Sequence, residues 1–109
     1  MSYKVQLTDK FQRQAKRLIK KYPSLKKELF ELRNSLLENP LIGTALGRDC
    51  YKIRLSIASK NKGKSGGARA ITHVYIKGAI VYLISIYDKS EQADIAPKDL
   101  IELLKGIEK

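Results

Sequence analysis

Apolar positions along the chain change their period once, near the middle. At the start, YKVQL (Tyr3–Leu7) alternates as a short strand does, and Thr8 follows with a hydroxyl suited to capping a helix. Phe11, Ala15, Leu18, Ile19 and Tyr22 then recur at helical spacing as one stripe, with Lys10, Arg13, Lys16, Arg17, Lys20 and Lys21 on the opposite face. Pro23 stops this helix. Ser24 is placed to cap a second one, striped by Leu25, Leu29, Leu32, Leu36 and Leu37 and ending before Asn39-Pro40. Two helices joined by only two residues predict an antiparallel helical hairpin.

LIGTALGRDC (Leu41–Cys50) has two glycines and no clear period, and is expected to be a loop. Beyond it the period becomes twofold. YKIRLSIA (Tyr51–Ala58) puts Tyr51, Ile53, Leu55 and Ile57 on one face and Lys52, Arg54 and Ser56 on the other. Residues Ala68–Ile76 and Ile80–Tyr87 read as two further strands, joined by a tight turn at Lys77-Gly78-Ala79. Pro97 suits the first turn of a last helix carrying Leu100, Leu103, Leu104 and Ile107, although Ala96 before it is a poor cap. The expected fold is α+β: a small, mostly antiparallel sheet with the helices on one face, forming a single domain over residues 1–109.

A chain of 109 residues with 43% apolar content has enough for one modest core. Charge sharpens the picture. The 22 Lys and Arg against 11 Asp and Glu leave a formal charge of +11, which favours an anionic partner. Nucleic acid is the first candidate; an anionic membrane surface or an acidic protein is the second, and a basic surface that serves only solubility is the plain alternative. Cys50 is the only cysteine, which excludes an internal disulfide and a cysteine-based metal cluster and suits a reducing cytoplasm. The longest apolar run, AIVYLISIY (Ala79–Tyr87), is far too short to cross a bilayer as a helix, and the amino terminus lacks a signal-peptide apolar segment. That terminus is basic and amphipathic in the manner of an organellar transit peptide, but Asp9 and its continuity with the first helix weigh against one.

Between Cys50 and Tyr87 there is no acidic residue but there are seven cations: Lys52, Arg54, Lys60, Lys62, Lys64, Arg69 and Lys77. Such segregation is the footprint of a phosphate-backbone binder. The glycine-containing stretch from Lys60 to Gly67 reads as a basic loop for RNA phosphates through Lys60, Lys62 and Lys64, with a charged hairpin turn as the plain alternative. His73 is the only histidine, so a two-histidine ribonuclease site is excluded, and a packed strand residue is the commoner role for it. No carboxylate cluster for a hard metal ion appears in these strands. An RNA-cutting site built here would therefore let the 2′-hydroxyl attack the adjacent phosphorus while Arg and Lys stabilise the added charge and Tyr or Lys moves protons. Lys52 and Arg54 share one strand face, Tyr87 and Lys89 share parity on another strand, and Arg69 opens the strand between.

YKIRL, the basic loop KGKSGGAR, the strand AIVYLISIYDKSEQ and the ending ADIAPKDL, in that order, resemble the RelE/HigB branch of the RelE/ParE superfamily of bacterial toxins from type II toxin–antitoxin systems. The resemblance follows element order along the whole chain and is most specific from Gly43 to Leu100. It implies a cytoplasmic, ribosome-dependent endoribonuclease (mRNA interferase) that needs no metal or other cofactor, with messenger RNA, the ribosome and a cognate antitoxin as partners and no membrane. By the same resemblance, Lys52 and Arg54 match the basic pair of the family's first central strand, Arg69 would hold the scissile phosphate, and Lys89 would stabilise the transition state or the leaving group. Tyr87 would stack on a base or transfer a proton. The family's tyrosine a few residues further on has no counterpart in EQADIA (Glu91–Ala96), which leaves Tyr87, Lys52 and Arg54 as candidates for the general base. A ParE-like gyrase inhibitor without nuclease activity, or a non-catalytic nucleic-acid-binding module, are the alternatives.

Overall fold

A computed structural model describes residues 2–60 and 66–107. The chain runs through β1 (Lys4–Leu7), α1 (Asp9–Lys21), α2 (Leu25–Glu38), β2 (Thr44–Gly47), β3 (Cys50–Leu55), β4 (Ala68–Tyr75), β5 (Ile80–Asp88) and α3 (Pro97–Lys105). The strands form one sheet in the order β1-β5-β4-β3-β2, parallel at β1-β5 and antiparallel elsewhere. Both helical N-termini read from the sequence behave differently from each other. Thr8 caps α1, its hydroxyl accepting from the Phe11 N–H at 3.2 Å, with Asp9 in the first turn and Lys20 and Lys21 in the last, where they complement the helix dipole. The Ser24 side chain instead accepts from the Ser59 N–H at 2.9 Å and makes no cap bond to α2, so it ties the helical hairpin to the segment after β3.

The helical hairpin covers one sheet face. Phe11, Leu18, Leu25, Leu32 and Leu36 pack there against Ile53, Leu55, Ala68, Ala70, Val81, Leu83 and Ile86. The expectation that all helices share this face is corrected: Leu100 and Leu103 of α3 pack with Cys50, Ile71, Tyr82, Ile84 and Tyr87, which belong to the opposite face. An amphipathic stripe shows that a helix has an apolar side without saying which face of a sheet receives it.

The stretch expected to be a loop contains β2. It is a four-residue edge strand whose Gly47 pairs with Cys50, so the connection is the two-residue turn Arg48-Asp49. Both turn residues take the left-handed region, at φ 55° and 59°, as a two-residue hairpin that matches strand twist requires. Neither is glycine, and the turn is held from β4: Val74 N–H donates to the Asp49 carbonyl at 2.8 Å, and His73 Nδ1 lies 3.0 Å from the Arg48 carbonyl. His73 is thereby placed with the turn, four residues along β4 from Arg69.

One irregularity in the central strands sets the rest. Ile71 pairs with Ser85 but Thr72 pairs with Leu83, leaving Ile84 as a bulged extra residue in β5. A one-residue slip inverts the facing of everything beyond it. Unbulged, Tyr87 would share a face with Val81 and Leu83 under the helical hairpin; bulged, it lies opposite Arg69 on the α3 face. The bulge sits where β1 has ended, and α1 satisfies it: Gln14 Oε1 accepts from both the Ile86 N–H and the Ser85 hydroxyl, each at 3.1 Å.

Candidate active site

Pairing across β3, β4 and β5 puts Arg54, Arg69 and Tyr87 on one rung. With neighbouring strands about 4.8 Å apart, the three backbones lie within roughly 10 Å. Lys52 is two residues along β3 on the same face, opposite Ile71. Arg54 is exposed, the Lys52 side chain is 20% exposed, and Arg69 and Tyr87 are buried at 4% and 5%, so the cluster has a cationic rim and a buried floor. The Arg69 guanidinium donates to the Ala68 carbonyl at 3.1 Å. Like charges directly opposite each other in a sheet destabilise it, so the Arg54–Arg69 pair is a local conflict of the kind that marks functional sites.

Lys89 extends the pairing past β5 through its N–H to the Gly67 carbonyl at 3.0 Å. Gly67 is required there, because a Cβ at that position would fall 1.9 Å from the Leu55 carbonyl oxygen. The Lys89 ammonium bonds the Ala93 carbonyl at 2.8 Å, across the turn that follows. Lys62 and Lys64, with the side chain of Lys60, the expected RNA-binding lysines, lie outside the described residues.

A strap from Ser90 to Ala96 crosses the site, fixed at both ends. At its start the buried Asp88 carboxylate accepts from the Ser90 N–H, the Ser90 hydroxyl and the Tyr22 hydroxyl. Glu91 pairs with Arg17 at 2.7 Å and stands 3.7 Å from the Lys21 ammonium, which holds its carboxyl below the usual range, the Arg17 hydrogen bond being the main cause. At its far end Asp94 Oδ1 lies 3.1 Å from Lys52 Nζ and accepts from the Ile95 N–H at 2.8 Å.

Asp94 is the site residue that sequence reasoning missed. The central strands carry no carboxylate before Asp88, as the sequence shows, but the strap returns one to their surface. No local signal in EQADIA marks it; only the tertiary path of the strap does. The Ile95 N–H first, then Lys52, hold its carboxyl below the ordinary range, so it is ionised at neutral pH. Burial pushes the Tyr87 phenol up; the Asp94 carboxylate adds to this through its charge and as an acceptor within reach of the phenol proton, and Arg69 opposes it. Tyr87 is thus protonated at neutral pH, and its hydroxyl has no partner in hydrogen-bond geometry among the described residues. Among those residues no three His, Cys, Asp or Glu side chains gather as a metal site, and no helix is long and apolar enough to cross a membrane.

On the other side of the sheet, β1, α1 and α2 enclose an open groove of about 760 Å³. Val5, Leu7, Leu29 and Phe30 supply its apolar lining and Arg13, Lys16, Lys26 and Arg33 its basic rim. Phe30 is 61% exposed at its edge, beside the exposed Leu7.

Solved structures share this fold. Escherichia coli toxin RelE, as a double arginine-to-alanine mutant in the free state, matches with a TM-score of 0.66 and 22% identity, covering 99% of this chain and 100% of that one. The same mutant in complex with a peptide of its antitoxin RelB matches with a TM-score of 0.63, again at 22% identity with 99% and 100% coverage. The family model for the RelE toxin of the RelE/RelB toxin–antitoxin system matches residues 3–108, and the chain therefore belongs to the RelE toxin family.

Proposed function

We propose that the chain is a cytoplasmic endoribonuclease that cuts messenger RNA on the translating ribosome and is neutralised by an antitoxin. The observation that carries this reading is the rung of Arg54, Arg69 and Tyr87 with Lys52 and Lys89 beside it. Two opposed guanidinium groups and a buried, protonated phenol suit a phosphate that gains negative charge as it reacts. The 2′-oxygen attacks phosphorus, the bond to the 5′-oxygen breaks, and the products are a 2′,3′-cyclic phosphate and a free 5′-hydroxyl. Arg69 and Lys52 stabilise the phosphoryl oxygens, Arg54 at the rim holds the incoming strand, and Tyr87 or Lys89 returns a proton to the departing 5′-oxygen. These groups perform the reaction without a metal ion.

Primer-extension mapping of a messenger RNA on translating ribosomes, with chelator present, tests the reading. Wild-type protein should give cuts that vanish without ribosomes and in Arg69→Ala. Cutting by Arg69→Ala at the wild-type rate would remove Arg69 from the site. No cuts by wild type, with inhibition of gyrase supercoiling instead, would establish the ParE-like alternative.

The antitoxin follows from family membership and from the second surface. The RelE structure solved with an antitoxin peptide is a relative's complex, and in this chain the groove of β1, α1 and α2 offers a surface for such a partner. Its apolar lining and four-cation rim fit an amphipathic helix with acidic flanks.

A further inference from the structure

The proposed site has four cationic groups around one phenol, and attack by the 2′-hydroxyl requires something to take its proton. Among the charged groups of the site, Lys52 is an ammonium paired with a carboxylate, Arg54 and Arg69 are guanidinium groups that remain protonated, and the Lys89 ammonium donates to the Ala93 carbonyl. Tyr87 is a phenol that burial keeps protonated. Asp94, among the described residues, presents an unprotonated oxygen to this face: one of its oxygens binds Lys52 Nζ at 3.1 Å and accepts from the Ile95 N–H at 2.8 Å, and the Tyr87 phenol lies within its reach. The charge of Lys89 also reaches it.

We propose that Asp94 is the general base of the cleavage reaction, accepting the proton of the attacking 2′-hydroxyl while Lys52 passes from its carboxylate to the phosphate. This rests on the nuclease reading above. As O2′ bonds to phosphorus its proton moves to the Asp94 carboxylate; as the bond to O5′ breaks, that oxygen takes a proton from Tyr87 or Lys89. The general base is thus carried by the strap, a segment fixed by Asp88 at its root and by Glu91 on α1, and not by the strands that hold the phosphate.

The test compares wild type, Asp94→Asn and Asp94→Glu in single-turnover cleavage of ribosome-bound messenger RNA, with binding measured on a labelled oligoribonucleotide carrying a 2′-deoxy block at the cut. Asp94→Asn should bind as tightly or more tightly, since a negative charge beside the phosphate is gone. It should cleave about 10²- to 10⁴-fold more slowly, the usual contribution of a positioned base, and Asp94→Glu should recover part of the loss. Between about pH 6 and pH 8 the wild-type rate should be flat, because the base is already ionised, while Asp94→Asn should rise about tenfold per pH unit as hydroxide substitutes for it. A structural role for Asp94 would not change that slope. If Asp94→Asn cleaves as fast as wild type with the same flat profile, or faster because its carboxylate merely blocks the site, Asp94 is not the base and the nuclease reading stands. If wild type does not cleave at all, both fail together.

Discussion

The Tyr87 hydroxyl is buried with the Asp94 carboxylate within reach and the Arg69 guanidinium near, yet it stands outside full hydrogen-bond geometry with the described residues. A buried polar group left unmatched costs about 1–3 kcal/mol, so its retention argues for use on a substrate and against a packing role. Tyr87→Phe should raise stability by about 1 kcal/mol, seen as a melting temperature several degrees higher, and should lower the cleavage rate. A destabilised Tyr87→Phe would mean that the hydroxyl is satisfied in the folded protein. At this scale the cationic residues were readable: Lys52 and Arg54 alternate regularly with Ile53 and Leu55, so parity alone puts them away from the core. Asp94 was not readable, because nothing in its neighbours reports that the strap folds back onto Lys52.

Among the elements, the bulge at Ile84 decides which face receives Tyr87, and a parity reading of β5 cannot see an extra residue. What fixes the bulge lies in another element: Gln14 on α1 accepts the Ile86 N–H and Ser85 hydroxyl that β1, ending at Leu7, does not reach. Gln14→Ala should leave that N–H without its partner, cost about 1–2 kcal/mol in thermal or denaturant unfolding, and reduce cleavage even though Gln14 touches none of the proposed catalytic groups. Full activity at reduced stability would show that the bulge survives without it. The helices were legible from their stripes and from Thr8. The short β2 was not, since four residues that end in a glycine carry too little alternation, and its turn adopts left-handed geometry at Arg48 and Asp49 with His73 and Val74 as support. The support is tertiary, and a sequence window cannot contain it.

Across the whole molecule the sheet separates two basic surfaces with different chemistry. The Arg54 face is cationic with a buried polar floor, suited to phosphate, whereas the groove over Leu7 and Phe30 is apolar with cations at its edge, suited to a folded peptide. Leu83, which lines the groove, and Tyr87, in the site, lie on opposite sheet faces. An antitoxin seated in the groove would therefore take most of its affinity from apolar anchors and the speed of its approach from the rim charges. Phe30→Ala should weaken the antitoxin by about 2 kcal/mol, roughly 30-fold in Kd by calorimetry, with cleavage by the free toxin unchanged. Arg33→Glu should act chiefly on the association rate and should do so less as salt is added. Unchanged affinity in both variants would move the antitoxin to the Arg54 face, where its acidic side chains would compete with RNA for the same guanidinium groups and inhibition would weaken as RNA concentration rises.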